Sequence, residues 1–115
     1  FIAIPVFPSR FFRHSSIYVN AEAGIAEPRD LVGRRIGTPE YQMTAPVWIR
    51  GILADEYGVP VESAHYLTGG EESANRSEKL PLDLPDTICI EKIAPHQTLS
   101  AMLASGEIDA LYTAR

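Results

Sequence analysis

Two groups of residues in this sequence are of the right types, and close enough together, to do chemistry. Arg10, Arg13 and His14 stand within five positions. Guanidinium groups suit two-point recognition of a carboxylate, and an imidazole can move a proton near neutral pH. The plainer account is a pair of solvated arginines beside a structural histidine. The second group is the turn Gly37-Thr38-Pro39-Glu40-Tyr41-Gln42-Met43-Thr44. It reads as the passage from a strand into a helix, where free backbone N–H groups and the helix dipole favour an anion. Thr38, Gln42 and Thr44 can add hydrogen bonds, and Tyr41 can wall an aromatic ligand. A capped turn without a ligand is the alternative, since capping residues occur at every helix start. Gly69-Gly70-Glu71-Glu72 reads as a solvated acidic loop. His65 and His96 have no partners at metal-ligand spacing, so no metal site is predicted. The sequence has no phosphate-binding P-loop, nucleophile elbow or dinucleotide fingerprint.

The elements that must position these residues follow from periodicity and from Pro and Gly. Residues 1–7 are apolar and β-prone, and Pro5 and Pro8 limit them to an edge or crossing segment. Strands are predicted over Ser15–Asn20, Arg35–Thr38, Ala64–Thr68, Ile88–Ile93 and Ala110–Thr113. Arg29–Gly33 reads as a short helical turn ended by glycine. The clearest helix starts near Thr44, which is predicted to cap it, tolerates Pro46 in its first turn, and ends at Gly58 before Pro60. Its predicted apolar stripe is Ala45, Trp48, Ile49, Ile52, Leu53 and Tyr57, with Arg50, Asp55 and Glu56 off it. A shorter helix starts near Gln97 or Thr98, buries Leu99, Met102 and Leu103, and stops at Gly106. Residues 69–75 form a polar loop, and 76–86 fit no regular element. Alternating strands and helices predict an α/β fold with a mostly parallel sheet.

The chain's 115 residues are enough for one small domain. A net charge of −5 argues against a nucleic-acid partner. No apolar run is long enough to span a bilayer, so no membrane insertion is expected. The single cysteine, Cys89, excludes an internal disulfide and reads as a small core residue. The sequence opens on Phe1 and stops at Arg115, directly after an apolar stretch, and both ends are expected to be cuts.

Asp30-Leu31-Val32-Gly33-Arg34-Arg35-Ile36-Gly37 before a helix, with Gly106-Glu107-Ile108-Asp109-Ala110 later, resembles the type II periplasmic-binding-protein fold. A narrower set is Phe12-Arg13-His14-Ser15, Ile17-Tyr18-Val19-Asn20, Gly37 to Ala45, and Leu53-Ala54-Asp55-Glu56-Tyr57-Gly58. It is similar to the 4,5-dihydroxyphthalate decarboxylase family, a branch of that fold. The resemblance covers nearly the whole chain, departs at Pro46, and does not account for residues 69–86. It implies that residues 1–115 are a single α/β lobe, the second of a two-lobed protein, entered by a crossing segment over 1–14. The first lobe of the same chain would be the missing partner. The ligand, a small aromatic or organic carboxylate, would lie in the cleft between lobes.

The resemblance also implies a carboxy-lyase, cytoplasmic in location. Decarboxylating an aromatic acid leaves electrons on a ring carbon. The easier route protonates that carbon first, helped by a para hydroxyl that becomes a ketone. On this scheme His14 and Glu40 are the candidate acid and base. Arg13 and Arg10 anchor carboxylates, while Thr38, Tyr41, Gln42 and Thr44 orient the ring. The scheme requires no cofactor. Two other readings use the same residues only to hold an anion: a periplasmic solute receptor for an importer, and a ligand-sensing regulatory lobe.

Overall fold

The computed structural model describes residues 2–5 and 12–114. Its elements in chain order are β1 (Ile17–Val19), β2 (Arg35–Thr38), α1 (Thr44–Tyr57), β3 (His65–Thr68), β4 (Cys89–Lys92), α2 (Leu99–Ser105) and β5 (Ala110–Tyr112). Short 3-10 turns cover Arg13–Ser16, Pro28–Leu31 and Val61–Ser63. The five strands form one sheet in the order β1-β5-β2-β3-β4. Strands β5, β2, β3 and β4 run parallel, and β1 pairs antiparallel with β5, Ile17 opposite Tyr112. The mostly parallel α/β architecture is as the sequence predicts.

Alternation along the strands builds a core on each face of the sheet. Ile36, Tyr66, Ala110 and Tyr112 face one way and pack with Ile49 and Leu53 of α1. Leu67 and Leu111 face the other way and pack with Leu99 and Met102 of α2 and with Ile108. Gly37 lies on this second face. A Cβ there would come within 2.6 Å of Ile108 Cδ1 and 3.1 Å of Leu99 Cδ2, so the glycine is what lets α2 sit close.

The two stretches that resemble the type II binding-protein fold meet in space. The Arg35 N–H donates to the Asp109 carboxylate at 3.0 Å, and the Asp109 N–H returns to the Arg35 carbonyl at 2.8 Å. Arg35 Nη2 also donates to the Gly106 carbonyl at 2.8 Å, closing the end of α2 onto β2. Helix ends obey the predicted stops. Gly58 and Gly106 both take the left-handed conformation, with φ of 64° and 82°, and the Thr98 side chain accepts from the Ala101 N–H.

Several expectations are corrected. Thr44 does not cap α1: Met43 holds the cap position without a side-chain bond, and Thr44 is the first helical residue. Trp48, placed on the buried stripe, is 61% exposed, whereas Arg50, placed off it, is 6% exposed. The Arg50 stem lies along the core, and its head stacks 3.7 Å above the Tyr41 ring. Cys89 is exposed because β4 is a sheet edge with most of its residues open to solvent. The strand expected over Ser15–Asn20 is shorter, since Arg13–Ser16 coils into a 3-10 turn. Of residues 1–7, those described form no strand, and Ile2 and Ile4 are exposed.

Candidate functional site

Because β2, β3 and β4 are parallel, their last residues Thr38, Thr68 and Lys92 fall along one edge of the sheet, Thr38 directly opposite Thr68. In open α/β sheets this carboxyl edge is where ligands bind. Two adjoining open grooves lie there. One, of about 380 Å³, is lined by Glu40, Gln42, Met43 and Thr44 of the turn and by Glu78, Lys79 and Leu80. The other, of about 570 Å³, runs past Thr68, Ser77, Lys79, Leu82, Ile90 and Lys92. Both volumes lie in the range of small-molecule sites.

The turn residues divide between core and groove. Thr38 is fully buried, and its hydroxyl donates to the Glu40 carbonyl at 3.3 Å. The Tyr41 ring also points inward. It meets the Tyr66 ring edge-on at 5.2 Å, and the Tyr41 carbonyl accepts from Arg50 Nη2 at 2.6 Å. Tyr41 therefore walls the core rather than the groove. Gln42 and Thr44 are exposed along the groove.

Glu40 is the most constrained polar residue of the site. Its carboxylate is nearly buried, and its Oε1 accepts from Arg76 Nε at 3.0 Å and Nη2 at 2.7 Å. Its Oε2 accepts from the Lys79 N–H at 3.3 Å. Burial pushes the Glu40 pKa up, but the Arg76 hydrogen bonds, the Lys79 amide and the two positive charges outweigh it and hold the group below its ordinary value. Glu40 is thus ionised at neutral pH, an acceptor rather than a proton donor. Glu78 makes a matching contact, its Oε1 accepting from the Tyr41 N–H. Residues 76–79, which the sequence left without an element, are therefore tied to the turn from both sides. Long-range ion pairs and amide bonds of this kind leave no periodic signal, and nothing in the local sequence announced them.

His14 and the turn are not brought together. The His14 Nε2 lies 3.2 Å from the hydroxyl of Tyr57, the last residue of α1, and the two rings stand edge to face at 5.8 Å. Thr44 opens the same helix of 14 residues. At 1.5 Å per residue, about 20 Å of helix separates the two ends. Beside His14 is a separate groove of about 290 Å³, lined by Ile17, Val19, Leu31, Leu53 and Tyr57. Arg13 is half-buried in the same 3-10 turn as His14, and Arg10 lies outside the described residues.

The Gly69–Glu72 loop is less solvated than expected. The Glu71 carboxylate accepts from the Thr113 hydroxyl at 2.7 Å, and the Gly70 and Glu71 carbonyls accept the Leu99 and Ser100 N–H groups that open α2. Among the described residues, no three His, Cys, Asp or Glu are grouped to hold a metal ion, and no helix is long and apolar enough to cross a membrane.

Two known proteins match this chain along most of its length. The 4,5-dihydroxyphthalate decarboxylase of Comamonas testosteroni is 50% identical over 111 residues, which is 96% of this chain and 34% of that protein. The 4,5-dihydroxyphthalate decarboxylase of Pseudomonas putida is 49% identical over 111 residues, or 96% of this chain and 43% of that protein. The chain thus spans less than half the length of either relative. No family model matches it.

Proposed function

We propose, from a chain that belongs to the 4,5-dihydroxyphthalate decarboxylase family, that it forms one lobe of a carboxy-lyase acting on an aromatic carboxylic acid. The observation that carries this reading is the 50% identity to a protein of that name over 96% of the chain. The two open grooves at the carboxyl edge support it, since they give an aromatic acid a place to lie. We take the lobe to be the second half of a type II periplasmic-binding-protein-like fold, with the remaining length of the relatives supplying the facing lobe and the cleft between them. The proposed location is the cytoplasm.

The chemistry is that of a para-activated ring. A proton adds to the ring carbon that bears the carboxylate, while the para hydroxyl gives up its proton and becomes a ketone. The bond to the carboxyl carbon then breaks, CO2 leaves, and its electron pair restores the aromatic ring, after which the ketone oxygen regains a proton. The net change is one proton taken up for each CO2 lost. Exposed Gln42 and Thr44 orient the ring through hydrogen bonds, and Glu40, kept ionised, acts as an acceptor in the site. His14 and Arg13, about 20 Å of helix away from the turn, cannot reach that ring, and they stand as a separate candidate pair, an imidazole for proton transfer beside a guanidinium for a carboxylate.

The test is to incubate full-length protein with 4,5-dihydroxyphthalate and follow CO2 release. Turnover by wild type, reduced in Glu40→Gln and kept in His14→Ala, is the expected result for a ring held at the turn. Normal turnover in Glu40→Gln would remove that residue from catalysis, and turnover lost in His14→Ala would move the ring to the groove beside His14. Tight binding of an acid without CO2 release would replace the enzyme with a receptor.

A further inference from the structure

We infer that Lys79 supplies the cation that holds a ligand carboxylate at the carboxyl edge, and that the Glu40–Arg76 pair is what sets it in place. The inference rests on the decarboxylase reading for its ligand class. Lys79 lines both grooves and so stands on the ridge between them. Among the described residues it is the one cation lining the turn groove. The carboxylates around it are already committed: Glu40 to Arg76 and to the Lys79 N–H, Glu78 to the Tyr41 N–H. Among the described residues, no carboxylate lies within ion-pair distance of the Lys79 ammonium, which is exposed.

The backbone on which this ammonium is mounted is fixed. Its own N–H is bonded to Glu40, and the residue before it is bonded to Tyr41. A flexible side chain on an anchored main chain can reach into either groove at a lower ordering cost than one on a free loop. The surroundings suit an aromatic acid. Met43 and Leu80 offer apolar contact for a ring, and Gln42 and Thr44 line the same groove with groups that can meet polar substituents. With the carboxylate on Lys79, the ring of a planar ligand can meet Met43 or Leu80 and its hydroxyls Gln42 or Thr44. Glu40 is then a positioning residue in addition to an acceptor: it places Lys79 by holding the main chain at 79 and the Arg76 guanidinium together.

The test uses full-length protein and 4,5-dihydroxyphthalate, with phthalate as a non-reacting probe in calorimetry. Lys79→Met is expected to raise KM, and the Kd for phthalate, about tenfold or more, with kcat little changed, because a charge-assisted bond to the bound acid is lost. Lys79→Arg should recover most of that loss. Glu40→Gln should raise the phthalate Kd on its own, and Lys79→Met added to it should cost far less than tenfold, since the two residues act as one unit. A wild-type phthalate Kd in Lys79→Met would overturn the inference, as would full additivity in the double variant. If wild type binds phthalate but releases no CO2 from the dihydroxy acid, the decarboxylase reading fails, while the Kd series still decides the role of Lys79.

Discussion

Glu40 is an almost fully buried carboxyl that is nonetheless ionised, because the Arg76 guanidinium, the Lys79 main-chain amide and the Lys79 charge together compensate it more than burial penalises it. The sign of its pH dependence follows. A carboxyl whose folded value lies below the ordinary 4.5 contributes its full stability above that pH and loses it as acid carries the pH down through the lowered value. Wild type should therefore exceed Glu40→Gln in urea midpoint at pH 7, and the gap should narrow progressively below pH 4.5. A gap that stayed constant into acid would mean that the charge of Glu40 contributes nothing to the fold. The turn around Glu40 was legible in the sequence as a place for polar chemistry, but the residue's partners were not. Arg76 lies 36 positions away and Lys79 lies 39 away, in a stretch without period or motif. His14 is a parallel case: residue type marked it, yet the side chain that fixes it, Tyr57, is 43 positions on.

At the scale of elements, reading was accurate wherever punctuation was strong. β2 runs over Arg35–Thr38 as expected because Pro39 ends it, and α1 stops where Gly58 turns left-handed. Within α1 the reading failed on Trp48 and Arg50, since hydropathy ranks a residue by its type, while burial depends on what lies opposite. Arg50 faces Tyr41 and Tyr66 and can bury its stem with its charge over their rings, and Trp48 faces solvent. The loop from β3 to α2 shows the same dependence on neighbours. A Cβ on Gly70 would lie 1.7 Å from the Ser73 carbonyl oxygen, a main-chain atom that cannot swing aside. At Gly37 the obstructing atoms are side-chain methyl groups of Ile108, Leu99 and Leu111. Gly37→Ala should cost about 1–3 kcal/mol through overpacking. Gly70→Ala should cost more, since it must also displace the carbonyls that receive the first N–H groups of α2. Urea unfolding of both variants checks the order, and equal losses would contradict it.

For the molecule as a whole, the outer face of α1 is the least settled surface. Val47, Trp48, Gly51 and Ile52 line a shallow groove of about 400 Å³ there, with Asp55 and Glu56 at its end. Trp48 is the only tryptophan of the chain, so its fluorescence reports on this face alone. Emission from the 115-residue chain should be red-shifted and readily quenched by iodide, as for a solvated indole, and a blue-shifted, protected signal would show that the face is covered. The sheet carries a different lesson. The last of these strands in sequence, β5, lies between β1 and β2, and among the described residues it is the only strand partner of β1. Of these five strands, β1 must therefore wait for β5. While the chain is being synthesised, β2, α1, β3 and β4 can assemble in order, but residues 17–19 have no strand partner among the described residues until residues 110–112 are free to enter the sheet. Joining β1 to β5 closes a loop of about 90 residues, a long closure whose entropic cost makes this contact late among those of the sheet. A ribosome-bound intermediate stopped short of Ala110 would hold Ile17–Val19 unpaired, within reach of proteases and chaperones, until translation resumed.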